Sequence, residues 1–122
     1  VMTAENPAMG GPETTPDNYP LDDSNARLIQ GYLLEERGGR LMPTTGQYVA
    51  RPQVRGQGSR YIGKIPTDGR FFFKIPKKIP YTIWFLKIGY KVKKYDLAAF
   101  HEWSDFNVEL VKGGTVRRRY IE

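Results

Sequence analysis

The chain has 122 residues, enough to close one hydrophobic core and too few to divide into two ordinary domains. With 39% hydrophobic and 26% charged residues it lies near the globular norm, and with no cysteine it excludes disulfides, thiolate nucleophiles and cysteine-ligated metal centres. The formal net charge of +6 favours anionic partners such as nucleic acid, lipid head groups or an acidic protein, without choosing among them.

Residues 1–25 carry Pro7, Pro12, Pro16 and Pro20 together with Gly10 and Gly11, and follow neither helical nor strand periodicity. They read as an extended arm. Its anchors are Met2, Met9, Tyr19 and Leu21, too few to offset roughly 1–2 kcal/mol of backbone entropy per ordered residue, so a protein partner or a second copy of the chain is expected to order it. The chain begins at Val1 with no initiator methionine and no signal core, which is expected of a chain whose leader has been removed. Asp22-Asp23-Ser24-Asn25 lacks the periodic acidic spacing of a calcium loop and reads as a turn.

From residue 26 onward short apolar runs alternate with glycine and proline turns, the pattern of strands. Strands are predicted over 26–35, 47–54, 60–65, 70–75, 81–88, 90–93 and 105–111, with one helical turn or a loop over 97–103. Arg37-Gly38-Gly39-Arg40 ends the first, and Pro43-Thr44-Thr45-Gly46 precedes the second. The clearest hairpin is Thr67-Asp68-Gly69, where Gly69 supplies positive φ before a strand with Phe71, Phe73 and Ile75 on one face. Residues 81–88 are apolar on both faces, as a strand covered on both sides would be, and no run is long enough to span a bilayer. The fold class is therefore all-β, a seven-stranded antiparallel Greek-key β-sandwich over residues 26–112, flanked by the arm and by a basic tail, 113–122, bearing Arg117, Arg118 and Arg119.

His101-Glu102-Trp103-Ser104-Asp105 offers a base, an acid and a hydroxyl, but adjacent residues cannot readily fold back into a nucleophile–base–orienter array, so a loop is expected there and no catalytic residue is assigned. The single histidine argues against zinc, and Gly56-Gln57-Gly58 lacks the lysine and hydroxyl of a phosphate loop, so no cofactor or metal is expected. Arg51, Arg55, Arg60 and Lys64, with Tyr48 and Tyr61 nearby, suit either a groove for nucleic acid or a solvated outer face. A second set, Lys77, Lys78, Lys87, Lys91, Lys93 and Lys94, suits an acidic protein or an anionic membrane surface. Trp84, in the most apolar strand, is expected in the core; Trp103, among polar residues, is the candidate for stacking on a ligand.

Three pieces in order, Ile29-Gln30-Gly31-Tyr32-Leu33 with Gly38-Gly39-Arg40-Leu41-Met42-Pro43, then Thr67-Asp68-Gly69-Arg70-Phe71, then Ile79-Pro80-Tyr81-Thr82-Ile83 with Ile88-Gly89-Tyr90, resemble the carboxypeptidase regulatory-like domain, a transthyretin-like (prealbumin-like) β-sandwich family. The segment 47–59 departs from that pattern, with Arg51, Arg55 and Arg60 where the family carries smaller apolar residues, and leaves the register of the second strand open. The resemblance implies a noncatalytic, mostly extracytoplasmic module: periplasmic, cell-surface or secreted. The expected function is a structural or accessory subunit of a larger assembly, docking through arm and basic surface. The alternative is a carbohydrate- or nucleic-acid-binding module.

Overall fold

The computed structural model of the chain describes residues 24–113, together with Leu21 and the backbone of Pro12–Glu13. Among the described residues there is no helix, and so none long and apolar enough to cross a membrane. The described residues form nine strands: β1 (Pro12–Glu13), β2 (Ala26–Arg37), β3 (Arg40–Pro43), β4 (Gly46–Pro52), β5 (Arg60–Ile65), β6 (Arg70–Pro76), β7 (Tyr81–Leu86), β8 (Lys93–Leu97) and β9 (Trp103–Leu110). A five-stranded sheet runs in the order β1-β5-β4-β7-β8, and a four-stranded sheet is built around the long β2. Tyr32 pairs with both Arg70 and Asn107, and Leu34 with both Pro43 and Glu109. Hence β6 and β3 follow one another along one edge of β2, and β9 takes the other.

The β5–β6 hairpin forms as its sequence predicts. Gly69 has φ 73°, the Asp68 carboxylate accepts from the Arg70 amide at 3.0 Å, and the Gly69 carbonyl accepts from the Leu33 amide at 2.7 Å. The predicted register of β6 also holds, with Phe71, Phe73 and Ile75 buried against the opposite sheet. They join Ile29, Leu33, Tyr48, Tyr81, Ile83 and Phe85 in one core, where Tyr48 stacks on Phe73 at 3.8 Å between centroids and Phe71 tilts against Phe85 at 4.8 Å.

Elsewhere the structure departs from the expectations. β9 lies parallel to β2, so the sandwich is not wholly antiparallel. The cause is the connection 98–102, a loop without a helical turn, which delivers the chain beside the start of β2 and sends both strands the same way. The register of β2 and β9 shifts between Ile29 and Gly31, with Asp105 at φ 57°. There the β9 backbone comes so close that a Cβ on Gly31 would lie 1.7 Å from the Phe106 carbonyl oxygen. Residues 90–93 are not a strand of their own: Tyr90 bridges Lys112, and β8 begins at Lys93. The glycine hairpin carries an additional strand, β3, because Gly38 and Gly39 at positive φ turn the chain directly back onto β2. Within the expected arm, β1 pairs with β5, and Leu21 packs against the sandwich's own core instead of standing out for a partner. Met2, Met9, Tyr19 and Arg117–Arg119 lie outside the described residues.

Two charged side chains of β2 point inward with the apolar ones. Arg27 is 1% exposed and donates to four backbone carbonyls: Pro76 (3.0 Å), Ala98 (2.5 Å), His101 (2.7 Å) and Ile79 (2.6 Å). At the other end Glu35, also buried, accepts from the Tyr90 hydroxyl and from Arg37 Nε (3.1 Å) and Nη2 (2.5 Å). The Tyr90 hydrogen bond above all, then Arg37, outweighs burial and lowers the Glu35 carboxyl to about 2.

Candidate functional site

Strand alternation gives the five-stranded sheet an inner face, Tyr48, Ala50, Tyr61, Ile83 and Phe85, and an outer face of opposite parity. Cross-strand register orders that outer face into rows. The middle row runs Ile62, Val49, Trp84, Lys94; the row beside it holds Lys64, Gln47 and Leu86. On the other side Arg51 pairs with Thr82, and Thr82 with Asp96, its hydroxyl donating to the Asp96 carboxylate at 2.6 Å. Continuing the β4–β5 register by one step sets Arg51 beside Arg60. That neighbour is felt: burial first, and the Arg60 charge second, pull the Arg51 guanidinium below its ordinary value.

The result is an apolar centre, Ile62, Val49 and Trp84, edged by Arg51, Arg60, Lys64 and Lys94. The Arg51 guanidinium lies over the Trp84 ring at 5.7 Å, a cation–π contact that holds the long side chain down on the sheet. Val49 and Leu86 are buried, although among the described residues no second layer of strands covers this face.

Of the basic residues singled out in the sequence, the fold brings Arg51, Arg60 and Lys64 onto this one face; Arg55 stands exposed in the 53–59 connection. The second lysine set does not form one patch. Lys77 and Lys78 precede β7, Lys87 and Lys91 follow it at the opposite end, and only Lys94 joins the outer face. The two tryptophans exchange their expected places. Trp103 is 7% exposed, stacked on Phe106 at 3.9 Å and packed near Phe85, so its ring faces are not offered to a ligand. Asp105 adopts φ 57° at the register shift, and Trp103 turns inward with Val108 and Leu110 despite its polar neighbours. Trp84, outward by parity, is half-buried on the basic face. The alternation of Tyr81, Ile83 and Phe85 carries that signal, masked by an outer set as apolar as the inner one.

His101 is exposed, and its carbonyl serves Arg27. Among the described residues no cluster of histidine, aspartate and glutamate has metal-ligand proximity. An open depression of about 530 Å³ lies near the Glu35 end, lined by Glu36, Leu41, Tyr90, Glu109 and Lys112. No protein-family model, curated protein or solved structure matches the chain.

Proposed function

We propose that the chain is a noncatalytic accessory subunit of a larger protein assembly, and that it docks an acidic partner through the outer face of its five-stranded sheet. The observation that carries this reading is the row of Ile62, Val49 and Trp84 framed by Arg51, Arg60, Lys64 and Lys94. An apolar centre within a charged rim is how protein interfaces divide their work, with tryptophan and arginine the residues most often carrying the binding energy. The rim steers an acidic surface in, and Ile62 and Trp84, the two residues of the centre that are still partly exposed, supply the area buried on contact. The resemblance to carboxypeptidase regulatory-like domains supports the same reading, and with it an extracytoplasmic setting and a seven-stranded Greek-key body of β2 and β4–β9, to which β1 and β3 are short edge additions. In this reading the arm residues Met2, Met9 and Tyr19 and the tail residues Arg117–Arg119 extend the contact.

The test is co-purification of the full chain from its native source under mild conditions, beside Trp84→Ala and an Arg51→Ala/Arg60→Ala variant. Trp84→Ala is expected to weaken the complex by about 2 kcal/mol. The double arginine variant is expected to slow association and flatten its salt dependence. A chain that is monomeric in its native extract, or a complex indifferent to both variants, overturns the proposal.

Trp84 among basic groups also favours a second reading, a stacking platform for single-stranded nucleic acid. Titration with an oligonucleotide separates the two: nucleic-acid binding falls steeply with salt, by close to one power of salt concentration per phosphate neutralised. A carbohydrate would stack on Trp84 with little salt dependence.

A further inference from the structure

The outer face of the four-stranded sheet differs in kind. By register and alternation it carries an apolar stripe, Leu28, Phe72, Tyr32, Leu34 and Leu41, with Tyr32 41% and Leu41 47% exposed. Its charges are sorted. Lys74 stands opposite Leu28 and Arg70 opposite Tyr32 along β6, whereas Glu109 stands opposite Leu34 on β9 and Glu36 lies further along β2. Arg70 is held on this face, its guanidinium over the Phe72 ring at 5.6 Å and 3.4 Å from the Gln30 side-chain oxygen. Arg70 and Lys74 thus lie toward one corner of this face and Glu36 and Glu109 toward the diagonal one, where Lys112 lines the same depression as the two glutamates.

We infer that this face binds a second copy of the chain in an isologous, two-fold dimer. A two-fold axis lying in the contact plane and crossing the charge gradient brings Arg70 and Lys74 of each copy over Glu36 and Glu109 of the other, while the apolar stripes meet between them. A patch with its own complement built in is the condition for such a contact. The basic outer face of the other sheet then points away from the axis on both copies, which keeps the like charges apart and leaves those faces open. This inference is independent of the docking role proposed above.

The test is sedimentation equilibrium of the full chain over a wide concentration range, with Arg70→Glu, Glu109→Arg and the two combined. Both positions changed are at the surface, and circular dichroism verifies the fold. The wild-type chain is expected to dimerise reversibly, each single charge reversal to weaken the dimer by about tenfold or more, and the combined variant to recover most of that loss, because each interface then regains opposite charges. Tyr32→Glu, in the stripe, is expected to weaken the dimer with no rescue by the charge variants. The inference is overturned if the wild-type chain is monomeric at every concentration, if it dimerises indifferently to these variants, or if the combined variant is no tighter than the single ones. Should Arg70→Glu not fold, Lys74→Glu repeats the test at the other basic position.

Discussion

Arg27 and Glu35 occupy the two ends of the same strand, share its inward parity and are both buried, yet they secure the sandwich by opposite means. Arg27 has four carbonyl acceptors and ties the β6–β7 connection, through Pro76 and Ile79, to the β8–β9 connection, through Ala98 and His101. Glu35 is an acceptor, and draws in the β7–β8 connection through Tyr90 and its own hairpin through Arg37. Loops carry backbone groups that no ladder satisfies. A fixed charge reaching into them from a rigid strand both satisfies those groups and chooses where the loops cross. The planar guanidinium does so for four acceptors at once, which no other side chain matches, and it keeps its charge at any pH the protein meets. The carboxylate can be neutralised.

Replacing Arg27 with methionine is expected to have the largest effect, a loss of about 3–5 kcal/mol in urea unfolding, because it leaves several buried carbonyls unpaired and frees the crossover that sets β9 parallel to β2. Arg27→Lys should recover only part of the loss, since one ammonium cannot reach four acceptors. Equal stability of Arg27→Met and wild type would show that these four hydrogen bonds add nothing net to the fold.

Gly31→Ala probes the stretch of β2 between the two ends. Its Cβ, 1.7 Å from the Phe106 carbonyl oxygen, must push backbone away, at a cost of about 3 kcal/mol, with the largest hydrogen-exchange changes along β9. Unaltered exchange in β9 would contradict the close approach.

Glu35→Gln is expected to cost less, about 1–3 kcal/mol, because an amide retains part of the hydrogen bonding and Arg37 is largely solvated. Its signature is in acid. The folded carboxyl is depressed to about 2 from 4.5, so its stabilisation is complete above about pH 4.5 and is lost as pH falls toward 2. An acid titration of stability should show a limb in that window for the wild-type chain that Glu35→Gln lacks and that Arg27→Met retains. An identical limb in Glu35→Gln would assign the acid sensitivity to other carboxyls.

Neither of these two residues stands out in the sequence. Arg27 follows an alanine at the mouth of a strand, and only its parity with Ile29 and Leu33 hints that it points inward. An arginine there is ordinarily read as solvated, since charges are rarely buried without partners, and its partners here are carbonyls from loops far along the chain. The basic face was more legible: Arg51, Arg60 and Lys64 are outward by alternation in recognisable strands. Trp84 and Lys94 were not, because their place beside Arg51 depends on β7 pairing with β4 and β8 with β7.

What the chain determined by itself was local. Alternating apolar residues and glycine turns specify the β class, the Asp68-Gly69 hairpin and the inward set Phe71, Phe73 and Ile75, since these follow from period and from φ at single residues. The tertiary structure alone decided that β9 runs parallel to β2, that Trp103 is inside and Trp84 outside, and that Arg27 and Glu35 are core residues. Each of these turns on which strand becomes whose neighbour. Pairing between distant segments is settled by the packing of the whole sandwich and by where its loops find hydrogen-bond partners, and no window of sequence contains both sides of that choice.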